Sequence, residues 1–454
     1  MDKIEDMVGR PQLVRTRVRL QLLICLHLLA CCISLVCISK LYPEYHILFE
    51  LAGLPGAAVI LAAFALISIL FVFAEFSFGY LAGFYFYAMI AGYLWLNCFS
   101  EFNYNHRLTG ISAAGSAIAF LLPALFIRSP LLPLWTPSSG AFDRLLNGIL
   151  LLAIAAVAFG AAYNFTPVVL DDNAYNFRDT LKFPTLLRYL IGITSAALLP
   201  FAFACFLERK YYWRAGIVLL LMLLLFPITL SKLALFSSGW IVVMVILSRR
   251  FEARIAVVLP LFVLVIVGIF LFLLPTSNTM AAKAVTSYFW LVNFRAMAIP
   301  SMAMDYYNDF FSRNALTHFC QIQLLKPFVP CPYQEPIAIV IYKAFGVGGN
   351  FNASLFATEG IASVGAVFAP ATAFASGLVI ALGNRMSAGL PPRFILVSGA
   401  MLPQILLNVP LTVTLLTHGA AVLFLLWYVT PRTMFEHAAG GSLPPAHDDH
   451  TGSP

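Results

Sequence analysis

Charge is what this chain has least of. Asp, Glu, Lys and Arg make up 10% of its 454 residues, against about a quarter in an ordinary soluble domain. A soluble core has no room for the 61% that are hydrophobic, so the solvent for most of the chain has to be lipid. The motifs of soluble chemistry are missing too. There is no G-x-x-x-x-G-K-[ST] phosphate loop and no H-E-x-x-H zinc helix, so ATP-driven work and zinc hydrolysis have no support. GVGGN (Gly346 to Asn350) follows no strand and reads as a turn. No two of the eight cysteines have the C-x-x-C spacing of a zinc or redox site, and no internal repeat is visible. Neither a metal nor a cofactor is expected.

What is present is a succession of apolar runs long enough to cross a bilayer, about 20 residues each. They predict an all-α, polytopic transmembrane bundle of about twelve helices forming one integral-membrane domain over 1–454. The expected spans are 20–38, 52–73, 79–99, 110–128, 146–166, 185–206, 215–230, 233–248, 255–275, 359–382, 394–415 and 418–430. The basic N-terminus leads into an apolar run too long for a signal peptide. LLAC (Leu28 to Cys31) is a poor lipoprotein match inside it, so the first helix is expected to be retained.

A formal charge of +7 invites a nucleic-acid reading, but the basic residues are spread over the loops between apolar runs. With both termini in the cytoplasm, ERKYYWR (Glu208 to Arg214) and SRRFEAR (Ser248 to Arg254) become inner anchors, as the positive-inside rule requires. The tail 438–454, AAGGSLPPAHDDHTGSP, is small, polar and rich in Pro and Gly, which predicts a disordered cytoplasmic tail. Its HDDH is read as solvated rather than as a metal site.

That orientation leaves two sizeable outer loops, 167–184 and 276–358. In the longer one, Pro300 suits a helix start. Met302, Ala303, Tyr306, Phe310 and Phe311 follow at helical spacing, with Asp305, Asn308, Asp309 and Ser312 opposite. This predicts an amphipathic helix in the outer interface, its acids facing water or protein. Cys320 and Cys331 lie in the same polar loop and form either a disulfide, in an oxidising compartment, or two free thiols. The other six cysteines fall in or beside apolar helices and read as core filler.

The outer side also gathers cations. Arg178 lies in PVVLDDNAYNFRDTLKFP, Arg188 near the start of the sixth helix, Lys232 in the tight turn PITLSKLALF, and Arg295 and Arg313 on either side of the amphipathic helix. Ionisable groups at membrane depth are costly and face a cavity or a partner, or snorkel to the interface. Fixed cations beside lipid suit a polyprenyl diphosphate, whose tail needs the bilayer and whose phosphates Arg binds in bidentate fashion. They would also stabilise a departing diphosphate. Sugar transfer further needs a carboxylate for the attacking hydroxyl, with Asp171, Asp172, Asp305, Asp309 and Glu359 as candidates. Glu359 stands at the outer mouth of the tenth helix, as a base or as a carboxylate satisfying a helix N-terminus. The aspartates of DDNAYNFRD also suggest a magnesium-held diphosphate, but their spacing is not the D-D-x-x-D of prenyl transferases.

Taken jointly, TLSKLALF, NFRAMAIPSMAMDYYNDFFSRN and GNFNASLFATEGIASVG resemble the O-antigen or oligosaccharide repeat-unit polymerases (Wzy-type) of bacterial inner membranes. The likeness covers about 170–370. Arg178 follows Tyr175, Arg295 precedes Pro300, Tyr306 and Tyr307, and a small-residue run follows Asn352 and Ala353 up to Gly360 and Gly365. The resemblance implies a metal-independent glycosyltransferase on the periplasmic face. It would transfer a glycan from undecaprenyl diphosphate to a lipid-linked repeat unit, with membrane lipid and a chain-length regulator as partners and no nucleic acid. Arg178 and Arg295 would hold the diphosphate, helped by Arg188, Lys232 and Arg313. Glu359 would serve as base or orient the acceptor. Asp305, Tyr306, His318, Asn350 and Asn352 would contact substrate. One departure is that no glycine follows Arg178, Arg295 or Arg313 after ten intervening residues, the spacing of some polymerases and related ligases, which leaves ligase-like handling open. A transporter or flippase of lipid-linked oligosaccharide is the rival reading, and a structural scaffold a third.

Overall fold

The structure, a computed structural model, describes residues 2–166, 183–274, 279–322, 325–346, 351 and 353–435. Arg178, Asn350, Asn352, Asp171, Asp172 and the tail 438–454 lie outside the described residues. Helices dominate. The first eight are α1 (Asp2–Leu41), α2 (Leu51–Phe73), α3 (Phe78–Leu96), α4 (His106–Phe126), α5 (Ser139–Tyr163), α6 (Thr185–Glu208), α7 (Tyr212–Thr229) and α8 (Lys232–Arg250). After α9 (Ala253–Leu273), α10 (Thr279–Phe289) runs through a π-helical stretch, Trp290–Ala298, into α11 (Ile299–Arg313). Then come α12 (Ile337–Phe345), α13 (Phe356–Ser387), α14 (Pro392–Ser398), α15 (Leu402–Asn408), α16 (Leu411–Thr417) and α17 (Ala420–Val429).

Among the described residues, nine helices are long and apolar enough to cross a membrane, or ten if the bent pair α16–α17 is one span. These are the helices of a multi-pass membrane protein. The sequence led us to expect about twelve, and the shortfall has local causes. α3 is present but carries four tyrosines and three glycines. Every α3 residue except Ala88 is buried, so it meets protein on all sides and needs less hydropathy than a helix facing lipid. The expected span 394–415 is divided where Asn408 gives way to extended Val409 and Pro410, because proline cannot donate the next helical hydrogen bond.

Polar contacts fasten the bundle from within. Asn384 Oδ1 accepts from the Gly79 N–H at 2.6 Å while its Nδ2 donates to the Ala124 carbonyl at 2.7 Å, so one amide joins α13, α3 and α4. Arginine crowds one end. There Arg128 pairs with Glu75 at 2.6 Å, Arg209 with Asp143 and Arg393 with Glu208 at 3.9 Å, and Arg432 donates to the carbonyls of Met386 and Ala388. Aromatic and acidic side chains mark the other end.

The expected interfacial helix needs correcting. α11 is buried from Ile299 to Asp309 and packs against α3. Ser301 Oγ donates to the Met89 carbonyl at 2.8 Å, and a Cβ on Gly92 would lie 2.5 Å from that Oγ. The missing side chain at Gly92 is what lets α11 settle. The polar face stays out of water because neighbouring loops supply its partners.

Candidate functional site

α11 and the loop 97–105 between α3 and α4 form a buried polar cluster at the aromatic end. Asp305 is 2% exposed. Its Oδ2 accepts from Ser100 Oγ at 2.8 Å, and its Oδ1 from the Tyr104 hydroxyl. Asn97 stands behind Tyr104. Its Nδ2 donates to the His106 carbonyl at 2.9 Å, which fixes the amide. Asn97 Oδ1 lies 3.0 Å from the oxygen of the Tyr104 hydroxyl, whose one proton goes to Asp305, and faces His106 Nδ1 at 3.0 Å. His106 Nε2 meets the Phe102 carbonyl at 2.9 Å, and Asn308 Nδ2 donates to the Tyr93 hydroxyl at 2.9 Å.

α11 is not one of the membrane-crossing helices. Burial pushes the Asp305 carboxyl up to about 6, and the hydrogen bonds from Tyr104 and Ser100 and the charge of His106 only partly oppose this. A carboxyl of that kind can take up and release a proton near neutrality.

Glu359 is placed otherwise. Its Oε1 accepts from the Thr412 N–H at 3.0 Å and from Thr412 Oγ1 at 2.9 Å, and its Oε2 from Thr358 Oγ1 at 3.0 Å. It is 6% exposed. The carboxylate closes the N-terminus of α16, where a helix leaves donors without partners and favours negative charge. Of the two roles open for it, this geometry favours the cap over the base.

The cations fall into separate places. Arg295 is exposed on the π-helical stretch, near enough to Tyr45 for its charge to oppose in part the burial and the Glu44 charge that raise that phenol's pKa. One turn earlier, Trp290 carries Lys232, whose Nζ lies 3.7 Å from the ring centroid, a cation–π distance. Lys232, at the start of α8, thus touches the helical stretch that carries Arg295. Arg313 pairs with Asp309, one turn before it on α11. Arg188 is exposed in the opening turns of α6, which packs on α5 and α16, so nothing brings it to the Arg295 stretch. His318 contributes its backbone, with φ 47° and an N–H donated to the Ser363 carbonyl at 3.2 Å.

That backbone contact belongs to a helix break. α13 opens with a π-helical turn, Phe356–Ile361, and is interrupted at Gly365, with φ 75° and ψ 169°. The loop 316–321 covers the break. The Thr317 N–H donates to the Ala362 carbonyl at 2.8 Å, and Gln321 Nε2 reaches the Thr358 carbonyl at 3.1 Å and Ser363 Oγ at 2.9 Å. A disulfide joins Cys320 to Cys331, with Cα atoms 5.2 Å apart. Between the break and α11 lies a cavity of about 10 Å³ lined by Thr109, Ser112, Ser116 and Asn308 among others, room for about one water.

Tyr306 is held among Phe102, Phe345 and Phe351, with ring centroids 4.9, 4.9 and 4.8 Å away. The residues that sequence reasoning missed are Ser100, Tyr104 and His106 around Asp305, and Glu44 and Tyr45 beside Tyr306. SEFNYNH (Ser100 to His106) did carry a signal, a polar run where a short turn between two apolar helices would have sufficed. Among the described residues, no three His, Cys, Asp or Glu gather as metal ligands would. No protein-family model matches the chain, and no curated protein and no solved structure is detectably similar to it.

Proposed function

We propose that this chain polymerises undecaprenyl-diphosphate-linked oligosaccharide repeat units at the outer face of a bacterial inner membrane. One observation carries the reading. Arg295 and the buried carboxyl of Asp305 occupy one continuous helical run, Thr279–Arg313, and Lys232 rests on Trp290 of the same run. The arginine-rich opposite end then faces the cytoplasm, as the positive-inside rule asks.

In this reading Arg295, Lys232 and Arg178 hold the diphosphate of the donor. The acceptor hydroxyl attacks the anomeric carbon as the carbon–oxygen bond to the diphosphate breaks, and the cations stabilise the charge left on the departing polyprenyl diphosphate. Asp305 takes the hydroxyl proton, a part for which its raised pKa suits it. Glu359 acts through structure alone.

The test is the glycan banding pattern of a knockout strain complemented with point variants. Arg295→Ala and Asp305→Asn are expected to abolish long glycan, leave protein abundance intact, and cause single lipid-linked units to accumulate on the outer side. Normal chain length in either variant removes that residue from the mechanism, and normal length in the knockout removes the polymerase.

A flippase of the same lipid-linked units is the second reading, favoured by the break at Gly365 and the 61° bend between α16 and α17, since transporters bind substrate at broken helices. Accumulation of units on the cytoplasmic side of the knockout would decide for it.

A further inference from the structure

We infer that the loop Pro43–His46, together with Tyr306, forms a subsite for a neutral sugar ring of the acceptor. This rests on the polymerase reading for the word acceptor, but not for the sugar.

Tyr306 supplies the first observation. It is 1% exposed, and its hydroxyl has no hydrogen-bond partner among the described residues. Buried hydroxyls are almost always paired, so an orphan needs a reason. Three phenylalanines grip the ring, and the hydroxyl cannot swing towards another partner. Phe102, whose ring packs on Tyr306, also packs on His46, with centroids 4.9 and 5.1 Å away, which places Tyr306 behind the loop rather than deep in the bundle.

The loop supplies the second. Pro43–Tyr45 is a single tight turn, and His46 ends it with φ 58°. An antiparallel bridge pins it to the α3–α4 loop. The Leu48 N–H donates to the Phe99 carbonyl at 2.8 Å and the Glu101 N–H to the His46 carbonyl at 3.1 Å. His46 Nδ1 stands 3.5 Å from a Glu101 carboxylate oxygen. Tyr45 and Tyr42 brace on Phe294, at 4.9 and 4.4 Å, and Glu44 is exposed at the turn. The surface is therefore rigid and offers half-buried aromatic rings and carboxylates, with the unpartnered Tyr306 hydroxyl buried beneath them.

That chemistry selects the ligand. The C–H faces of a pyranose pack on aromatic rings, and its hydroxyls pair with carboxylates and with a phenol free to donate or accept. Glu44 and Glu101 both lie here, which disfavours a phosphate. Diphosphate falls to Arg295 on the neighbouring helical stretch, and sugar to this loop.

The experiment uses the full chain in lipid nanodiscs. The probe is the oligosaccharide released by mild acid from the host's own lipid-linked pool, with binding read by saturation-transfer NMR and titration. Tyr306→Phe, which removes only the hydroxyl, is expected to weaken binding about tenfold, with a melting temperature equal to or above the parent's. Glu44→Gln is expected to weaken it by a similar factor, and Gly148→Ala, where nothing lies within 4 Å of the added methyl, to leave it unchanged. Parent-like binding by both Tyr306→Phe and Glu44→Gln overturns the subsite, whatever the glycan bands show. Weakened binding in a strain whose knockout still makes long glycan keeps the subsite and overturns the polymerase.

Discussion

Thr412 gives both its N–H and its hydroxyl to one oxygen of Glu359, at 3.0 and 2.9 Å. α16 begins inside the bundle, directly after Pro410, where its first donors have little water to turn to. A carboxylate brought from α13 meets that need. Glu359→Ala strands those donors and should destabilise the protein by about 1–3 kcal/mol, lowering glycan only as far as folded protein falls. Glu359→Gln keeps an oxygen in place and should make near-normal chain lengths. Thermal melts beside glycan gels separate the two roles. A glutamine variant that folds fully and makes no long glycan would return Glu359 to the chemistry.

Asp305 predicts a pH dependence with a definite sign. Its carboxyl titrates at about 6 in the folded protein against an ordinary 3.8. The folded state holds the proton more tightly, so the stability that this brings is fully present below about 3.8 and is lost as pH rises through about 6. It amounts to something on the order of 3 kcal/mol. The melting temperature of the parent should therefore fall from pH 4 to pH 7 by more than that of Asp305→Asn. Glycan synthesis, which needs the ionised carboxylate as base, should rise over the same window. Parallel melting profiles for parent and variant would contradict the first expectation, and synthesis undiminished at pH 5 the second.

How much of this was legible beforehand depended on distance along the chain. The spans α4 to α9 lay close to their apolar runs, since each run is long, continuous and carries its own signal. The pairing of Cys320 with Cys331 is also local, with a sequence separation of 11. Asp305 was legible as a polar residue but not as a buried one, because its partners Ser100 and Tyr104 lie 205 and 201 residues away. The same holds for Glu359, whose partner is 53 residues on. α11 looked interfacial because its polar stripe resembled one that needs water. Nothing local distinguishes a stripe that meets water from one that meets Tyr93, Ser100 and Tyr104.

The three-helix junction at Asn384 should tolerate almost no added volume. A Cβ on Gly79 would lie 1.9 Å from the Ala124 carbonyl oxygen and 2.8 Å from Asn384 Nδ2. The obstruction is backbone, so α3 and α4 would have to part and the amide would lose a partner. Gly79→Ala should cost about 1–3 kcal/mol or more and deplete the folded protein from membranes. Gly148→Ala, where nothing lies within 4 Å of the added methyl, is the matched control and should leave abundance unchanged. Equal abundance of the two variants would remove the argument.

The break in α13 and the loop that covers it should prove to be one energetic unit. Gly365 holds φ 75° and ψ 169°, a region nearly closed to other residues, so Gly365→Ala should cost about 1–3 kcal/mol. The added Cβ would meet Leu316 at an ordinary 3.6 Å, which makes the cost one of backbone strain. Cys320→Ser opens the loop beside it and should cost roughly 3 kcal/mol, as loop closure predicts. Thr317, His318 and Gln321 are held against the break only while that loop is in place. Once it is released, the strained conformation at Gly365 has lost part of what enforces it, and the alanine can relax. The double variant should therefore be less destabilised than the sum of the singles, by about 0.5 kcal/mol or more. A double-mutant cycle on melts in nanodiscs measures this directly, and strict additivity would mean that the loop covers the break without supporting it.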